Sequence, residues 1–468
     1  MTTAHRTPSV PVRAVGLIGL TLVVAVASQL VAASRSPLAV VGTPPGGQAD
    51  TVDRPVVADL DVGGGTTTAT LDDTIRINAN IGFWSTKLSA HPTDFVAAEQ
   101  LGESQIELAR ATGDLSAYVA AGQSLDTALR LYSDMPAALA FKGVVLVSLH
   151  RFDEARNLAQ TVLAGQPDDP TALATLGDAS LELGALDVAT NAYDRLARTA
   201  PSAAASVRLG HLAFIRGDTA TAISNARAAV AQAADEESVG ERAGFYYYQL
   251  ADTLLATGDR PGAERAYRNA IARDPRSFLA HAGLGRALAA GGMLDAAIKE
   301  MSAAISIVPQ PDTLARRADL YTLRNASGDA ARAEQDRRTV LAIAQLATAA
   351  GNVYDRTLSL YLANHGQETT RAVDLAAKEL EIRKDVYGYD ALAWALLADG
   401  RPAEADAAMQ KALAVGTKDA KILYHSGMIA LALGDHVRAK AQLSAALALD
   451  PSFDALQAER AQQALAGL

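Results

Sequence analysis

Between residues 92 and 451, apolar and small residues recur at helical spacing in a pattern that repeats about every 34 residues. In one stretch Leu284-Gly285 is followed by Leu288, Gly292, Ala297, Met301, Ala304 and Pro309. One period earlier stand Leu250-Ala251, Leu254, Gly258, Ala263, Tyr267, Ala270 and Pro275. The blocks at Gly143, Leu176-Gly177, Gly210, Ala393 and Gly427 keep the same phase. Such spacing predicts two helices per unit, each with one apolar stripe.

Each recurring position has a physical role. Small residues at the eighth and twentieth places let two antiparallel helices approach closely. Apolar residues at the fourth, seventh, eleventh, twenty-fourth and twenty-seventh places form the facing stripes. Glycine at the fifteenth ends the first helix in a left-handed cap. Asp follows it in Gly113-Asp114, Gly217-Asp218, Gly258-Asp259, Gly328-Asp329 and Gly434-Asp435, placed to cap the second helix. Proline at the thirty-second cannot continue that helix. His150 takes a helix-ending place where glycine usually sits and reads as a turn residue.

These positions, met best by 278–309 and 170–201, resemble the tetratricopeptide repeat family. Its usual Trp at the fourth place is replaced by Leu139, Leu173, Tyr247, His281, Tyr389 and Leu423. Blocks 92–135, 312–345 and 353–385 fit more loosely. The resemblance implies an all-α, right-handed α-solenoid of about ten helix pairs over residues 74–468. Residues 74–91 form an extra starting helix. After Pro451, Phe453, Leu456 and Leu465 mark a capping helix with one polar face.

The resemblance also implies a concave groove lined by the first helix of each unit. By family register its candidates include Tyr248, Asp252, Arg286, Tyr387, Asp390, Trp394, Lys421, Tyr424 and Met428. Asp178 and Glu182 fall in the same register, and as acids four apart on one helix they read as solvated helix-face residues rather than as a catalytic carboxylate pair. Tyr387, Trp394, Tyr424 and Met428 gather aromatic and Met side chains in a chain otherwise poor in aromatics, as peptide-binding hot spots do. The same rings could instead fill the tight end of the stack beneath the capping helix.

Composition narrows the function. The formal net charge of −10 leaves no basic surplus for general nucleic-acid binding. The absence of cysteine excludes disulfides, Cys-ligated metals and cysteine nucleophiles. No phosphate loop, His-Glu-x-x-His motif or nucleophile elbow is present, and the eight histidines are scattered. No enzyme activity, catalytic residue, metal site or cofactor is expected.

At the N-terminus, Arg6 and Arg13 precede an uncharged run, Ala14–Ala33. Residues 1–33 read as a signal peptide or as an N-terminal membrane anchor, and both place the body outside the cytoplasmic membrane. Residues 34–73, rich in Pro, Gly and Thr, read as a linker. The expected function is a non-enzymatic, exported scaffold binding protein or peptide segments in its groove. The alternative is a structural or accessory subunit of a cell-envelope complex, assembling through the ends of the solenoid.

Overall fold

The computed structural model describes residues 73–236, 238–349 and 356–468. The signal-or-anchor reading of 1–33 and the linker reading of 34–73 lie outside these residues, except for Asp73, where the first helix begins. Every regular element among the described residues is a helix.

A leading helix, α1 (Asp73–Ala90), packs on the first of ten antiparallel pairs among the described residues. They are α2 (Phe95–Thr112) with α3 (Leu115–Leu131), α4 (Pro136–Ser148) with α5 (Phe152–Gly165), and α6 (Pro170–Glu182) with α7 (Leu186–Thr199). Next come α8 (Ala203–Ile215) with α9 (Thr219–Asp235), α10 (Gly240–Ala256) with α11 (Arg260–Arg273), and α12 (Phe278–Ala290) with α13 (Leu294–Ile307). The looser units give α14 (Pro311–Arg324) with α15 (Asp329–Ala349), and α16 (Arg356–His365) with α17 (Thr369–Ile382). The last are α18 (Val386–Ala398) with α19 (Pro402–Leu413), and α20 (Ala420–Ala432) with α21 (His436–Leu449). The closing helix α22 (Gln457–Ala466) starts several residues after Pro451, because Asp450 and Asp454 hold the intervening turn through Ser452, Leu456 and Gln457 N–H groups.

The local chemistry follows the expected punctuation. Asp114, Asp218, Asp259 and Asp435 accept N–H groups in the first turn of the following helix. Asp329 departs from this set. It opens α15 and is gripped by the Nε and Nη2 of a bidentate Arg324 at 2.9 and 2.7 Å. His150 adopts the left-handed conformation at φ 58° in its glycine place.

The small eighth-place residues have a measurable role. A Cβ added at Gly177 would lie 2.1 Å from the Tyr193 ring. Gly177→Ala is therefore expected to destabilise by about 1–3 kcal/mol, despite alanine's better helix propensity. Gly82→Ala in α1, where an added Cβ meets nothing within 4 Å, should instead stabilise by about 0.5–1 kcal/mol. Denaturant midpoints of the two variants check the contrast.

One feature lay beyond the repeat pattern. A solenoid unit is expected to touch only its neighbours. Here units about six apart also meet. The Lys384 N–H donates to the Glu182 carbonyl at 2.8 Å, and the Thr417 hydroxyl donates to the Ile215 carbonyl. These partners are roughly 200 residues apart, six 34-residue units. The superhelix thus completes a turn and lies against itself.

Candidate functional site

Two adjoining cavities, of about 340 and 360 Å³, lie inside this closed turn. Their walls come mainly from first helices of pairs, α8, α10, α12, α14, α16, α18 and α20, together with the segment that precedes α22. Arg286, Arg316, Asp319, Tyr387, Asp419 and Lys421 border both.

The candidate residues divide into two groups. Asp252 lines the first cavity, Tyr248 and Asp390 line the second, and Arg286, Tyr387 and Lys421 line both. Trp394, Tyr424 and Met428 line neither. Trp394 is 7% exposed, stacks on His425 at 4.1 Å and donates its indole N–H to Asn364 at 2.8 Å. Tyr424 is 1% exposed and packs against Phe453 at 5.4 Å between ring centroids. Met428 is half-buried against the same apolar cluster. These three side chains fill the end of the stack beneath the closing segment.

The expectation that Asp178 and Glu182 are solvated is corrected. Asp178 is buried and receives two hydrogen bonds of 2.8 Å from the fully buried Arg208 guanidinium, plus one of 2.8 Å from the Tyr193 hydroxyl. Glu182 is buried against Arg383 of the next superhelical turn, at 2.7 Å. Asp252 repeats the Asp178 arrangement two units along, with the Tyr267 hydroxyl and with Arg286 at 2.7 Å. Its arginine arrives from α12 and remains about a third exposed, so this copy faces the cavity.

The cavity wall carries charge of both signs. Arg316 bridges Asp312 at 2.8 Å and Asp454 at 3.5 Å. Burial is the largest influence on Asp312 and Asp454 and opposes their ionisation, but Arg316, Lys421 and the hydrogen bonds they accept together hold both carboxyls below their ordinary range. Asp419 behaves in the opposite way. Burial, reinforced by the nearby Asp390, raises it despite two N–H groups donated from the start of α20. Burial and the neighbouring Asp419 push the Tyr387 hydroxyl well above its ordinary value, so it remains protonated and able to donate. Burial works most strongly against the Arg286 charge, but Asp252, Tyr267, Tyr248 and Asp312 together more than compensate and raise it. Lys421 borders both cavities with no ion pair within 4 Å among the described residues.

Sequence reasoning missed Arg316, Asp319, Asp419 and Asp454. The first two stand in a loosely matching block whose register was ambiguous. Asp419 precedes its helix, and Asp454 follows the last repeat, so no position rule reaches either. Among the described residues, no group of three or more His, Asp or Glu side chains could hold a metal ion. No described helix is long and apolar enough to cross a membrane.

A tetratricopeptide repeat model matches residues 142–204, 248–311 and 391–452. The three matched segments are tetratricopeptide repeats, and the helix pairs between them continue in the same phase. No curated protein matches the sequence. Among solved structures, it is similar to a human IFIT1 dimer with PPP-AAAA, at 14% identity and a TM-score of 0.44, covering 81% of this chain and 94% of that one. A tetratricopeptide repeat protein from Parabacteroides merdae is similar at 20% identity and a TM-score of 0.37, covering 52% and 96%. A thermophilic tetratricopeptide repeat protein of Thermus thermophilus is similar at 20% identity and a TM-score of 0.35, covering 45% and 98%.

Proposed function

We propose that this chain is a non-enzymatic scaffold that binds an extended protein segment inside its superhelix, on the outer side of the cytoplasmic membrane. The observation that carries the reading is the pair of adjoining cavities lined by consecutive first helices, with Arg286, Tyr387 and Lys421 shared between them. The wall mixes carboxylates, guanidinium groups, a lysine and tyrosine hydroxyls, which suits a polar, charged chain better than an apolar helix face. The location rests on the charge and hydropathy pattern of residues 1–33.

The test is crosslinking in intact cells of the organism that makes the protein. Full-length wild type is compared with Tyr387→Ala/Lys421→Glu, and captured proteins are identified by mass spectrometry. A partner captured by wild type and lost in the variant is the expected result. Equal capture by both would move binding away from the cavities. Self-crosslinks alone would favour assembly through the solenoid ends. Protease added outside the cells should cleave the body, and full protection would overturn the assigned location.

A further inference from the structure

The contact between superhelical turns uses the repeat's own turn glycines. Gly184, Gly217 and Gly258 each follow the first helix of a pair, with φ of 76°, 74° and 88°. A Cβ at these positions would lie 2.7, 2.1 and 2.4 Å from the carbonyl oxygens of Lys384, Gly416 and Leu449, respectively. The next turn therefore seats its backbone on the bare face of three helix-ending glycines. Gly292, Gly400 and Gly434 occupy the same place in other repeats, with φ of 74°, 75° and 75°, and an added Cβ there meets nothing within 4 Å. Crowding is thus a property of the junction and not of the motif.

Polar groups complete the seam. Arg383 donates to Glu182 at 2.7 Å and to Glu379 at 3.1 Å. Arg356 holds Asp385 at 2.7 Å and lies 3.4 Å from Glu379. Ile382 packs on the small cluster of Phe152, Ala155 and Ala179 from the facing turn. Thr417 adds its hydroxyl to the Ile215 carbonyl. A buried ionic network gains little net stability once its desolvation is counted. The helix pairs draw most of their cores from their sequence neighbours, and across the seam Leu181, Leu212 and Ile215 join the apolar cluster of the C-terminal pairs. Such a seam can separate while the repeats remain folded.

Arg356, Glu379 and Arg383 also line the second cavity. The groups that hold the turns together are therefore wall residues of the interior.

We propose that the seam formed by Gly184, Gly217 and Gly258 against the following turn, with the Glu182–Arg383 pair at one end, is a latch that closes the superhelix around its cavities and opens without unfolding the repeats. Its use in admitting a bound segment rests on the function proposed above. The latch itself is testable with no partner present.

Because the chain contains no cysteine, two introduced cysteines carry spin labels uniquely. Asp187→Cys and Glu381→Cys are exposed sites, each three residues from the Gly184–Lys384 contact. Within this labelled protein, Gly184→Asn/Gly217→Asn/Gly258→Asn is compared with Gly292→Asn/Gly400→Asn/Gly434→Asn. Asn tolerates the left-handed conformation, so both triples bear similar backbone strain and only the first fills the seam. The expected result is a short, narrow label distance in the parent and the control triple. In the seam triple it becomes a broad distribution longer by about one helix diameter, ~10 Å. Helical circular dichroism should match between the two triples. Unchanged distances in the seam triple would overturn the latch. Helicity lost in the seam triple but kept in the control would also overturn it, by making the seam part of the folding core. Glu182→Arg, which confronts Arg383 with a like charge and leaves the glycines untouched, should lengthen the same distance.

Discussion

Asp178→Ala is expected to destabilise the region from α6 to α8 by about 3–5 kcal/mol, because it removes the carboxylate from a buried ion pair. The Arg208 side chain is fully buried and both of its links to Asp178 are 2.8 Å long. With alanine in place, the guanidinium keeps the Ala204 carbonyl at 3.1 Å but loses its counter-charge, and the Tyr193 hydroxyl loses its acceptor. Replacing both partners by apolar groups of similar volume, Asp178→Leu with Arg208→Met, should recover most of the loss and come out near neutral. Native-state hydrogen exchange in α6, α7 and α8 measures the effect locally, which suits a solenoid whose units can open separately. A loss below about 1 kcal/mol in the single variant would mean that the pair is more solvated than its geometry indicates.

Trp394→Ala combined with Tyr424→Ala should destabilise the C-terminal repeats strongly. Truncating a buried large aromatic costs about 3–5 kcal/mol through lost transfer energy and the cavity left behind. The two rings touch, with centroids 5.6 Å apart, so the double effect should fall short of the sum. Trp394 also anchors Asn364, which accepts from Gln457 at 2.8 Å, so its removal reaches α16 and the start of α22. Exchange protection should fall in α18, α20 and α22 while the N-terminal pairs stay protected. If stability hardly changes and partner capture is lost instead, these rings are binding anchors, as their register in the repeat alone would place them.

The two variants mark where reading by register succeeds and where it stops. Asp178 and Asp252 stand at the same repeat position, each fifteen residues before a tyrosine that bonds to it. The sequence cannot tell them apart by position. Their fates differ because Arg208 reaches Asp178 inside the packed interior, whereas Arg286 reaches Asp252 across the cavity wall. Likewise, Tyr387 and Trp394 both belong to the groove register of α18, but only Tyr387 faces a cavity. The closing segment after Pro451 brings Phe453 onto Tyr424 and covers that end of the stack. Arg316 and Asp319 were missed because their unit departs from the regular phase.

Helix type, pairing and order were determined by the sequence itself, because apolar spacing, small contact positions, Gly-Asp turns and terminal prolines act within one or two units. These are short-range constraints, repeated often enough to be read without knowing the shape of the whole. Closure of the superhelix was decided only by tertiary structure. Each repeat adds a small rotation to the last, and whether residues about 200 apart meet depends on the sum over six units. The same glycine that ends a helix is bare to solvent at Gly292 and covered by a carbonyl at Gly217, and nothing in the local sequence separates the two. The enclosed cavities follow from that closure, since their walls join residues from both ends of the turn.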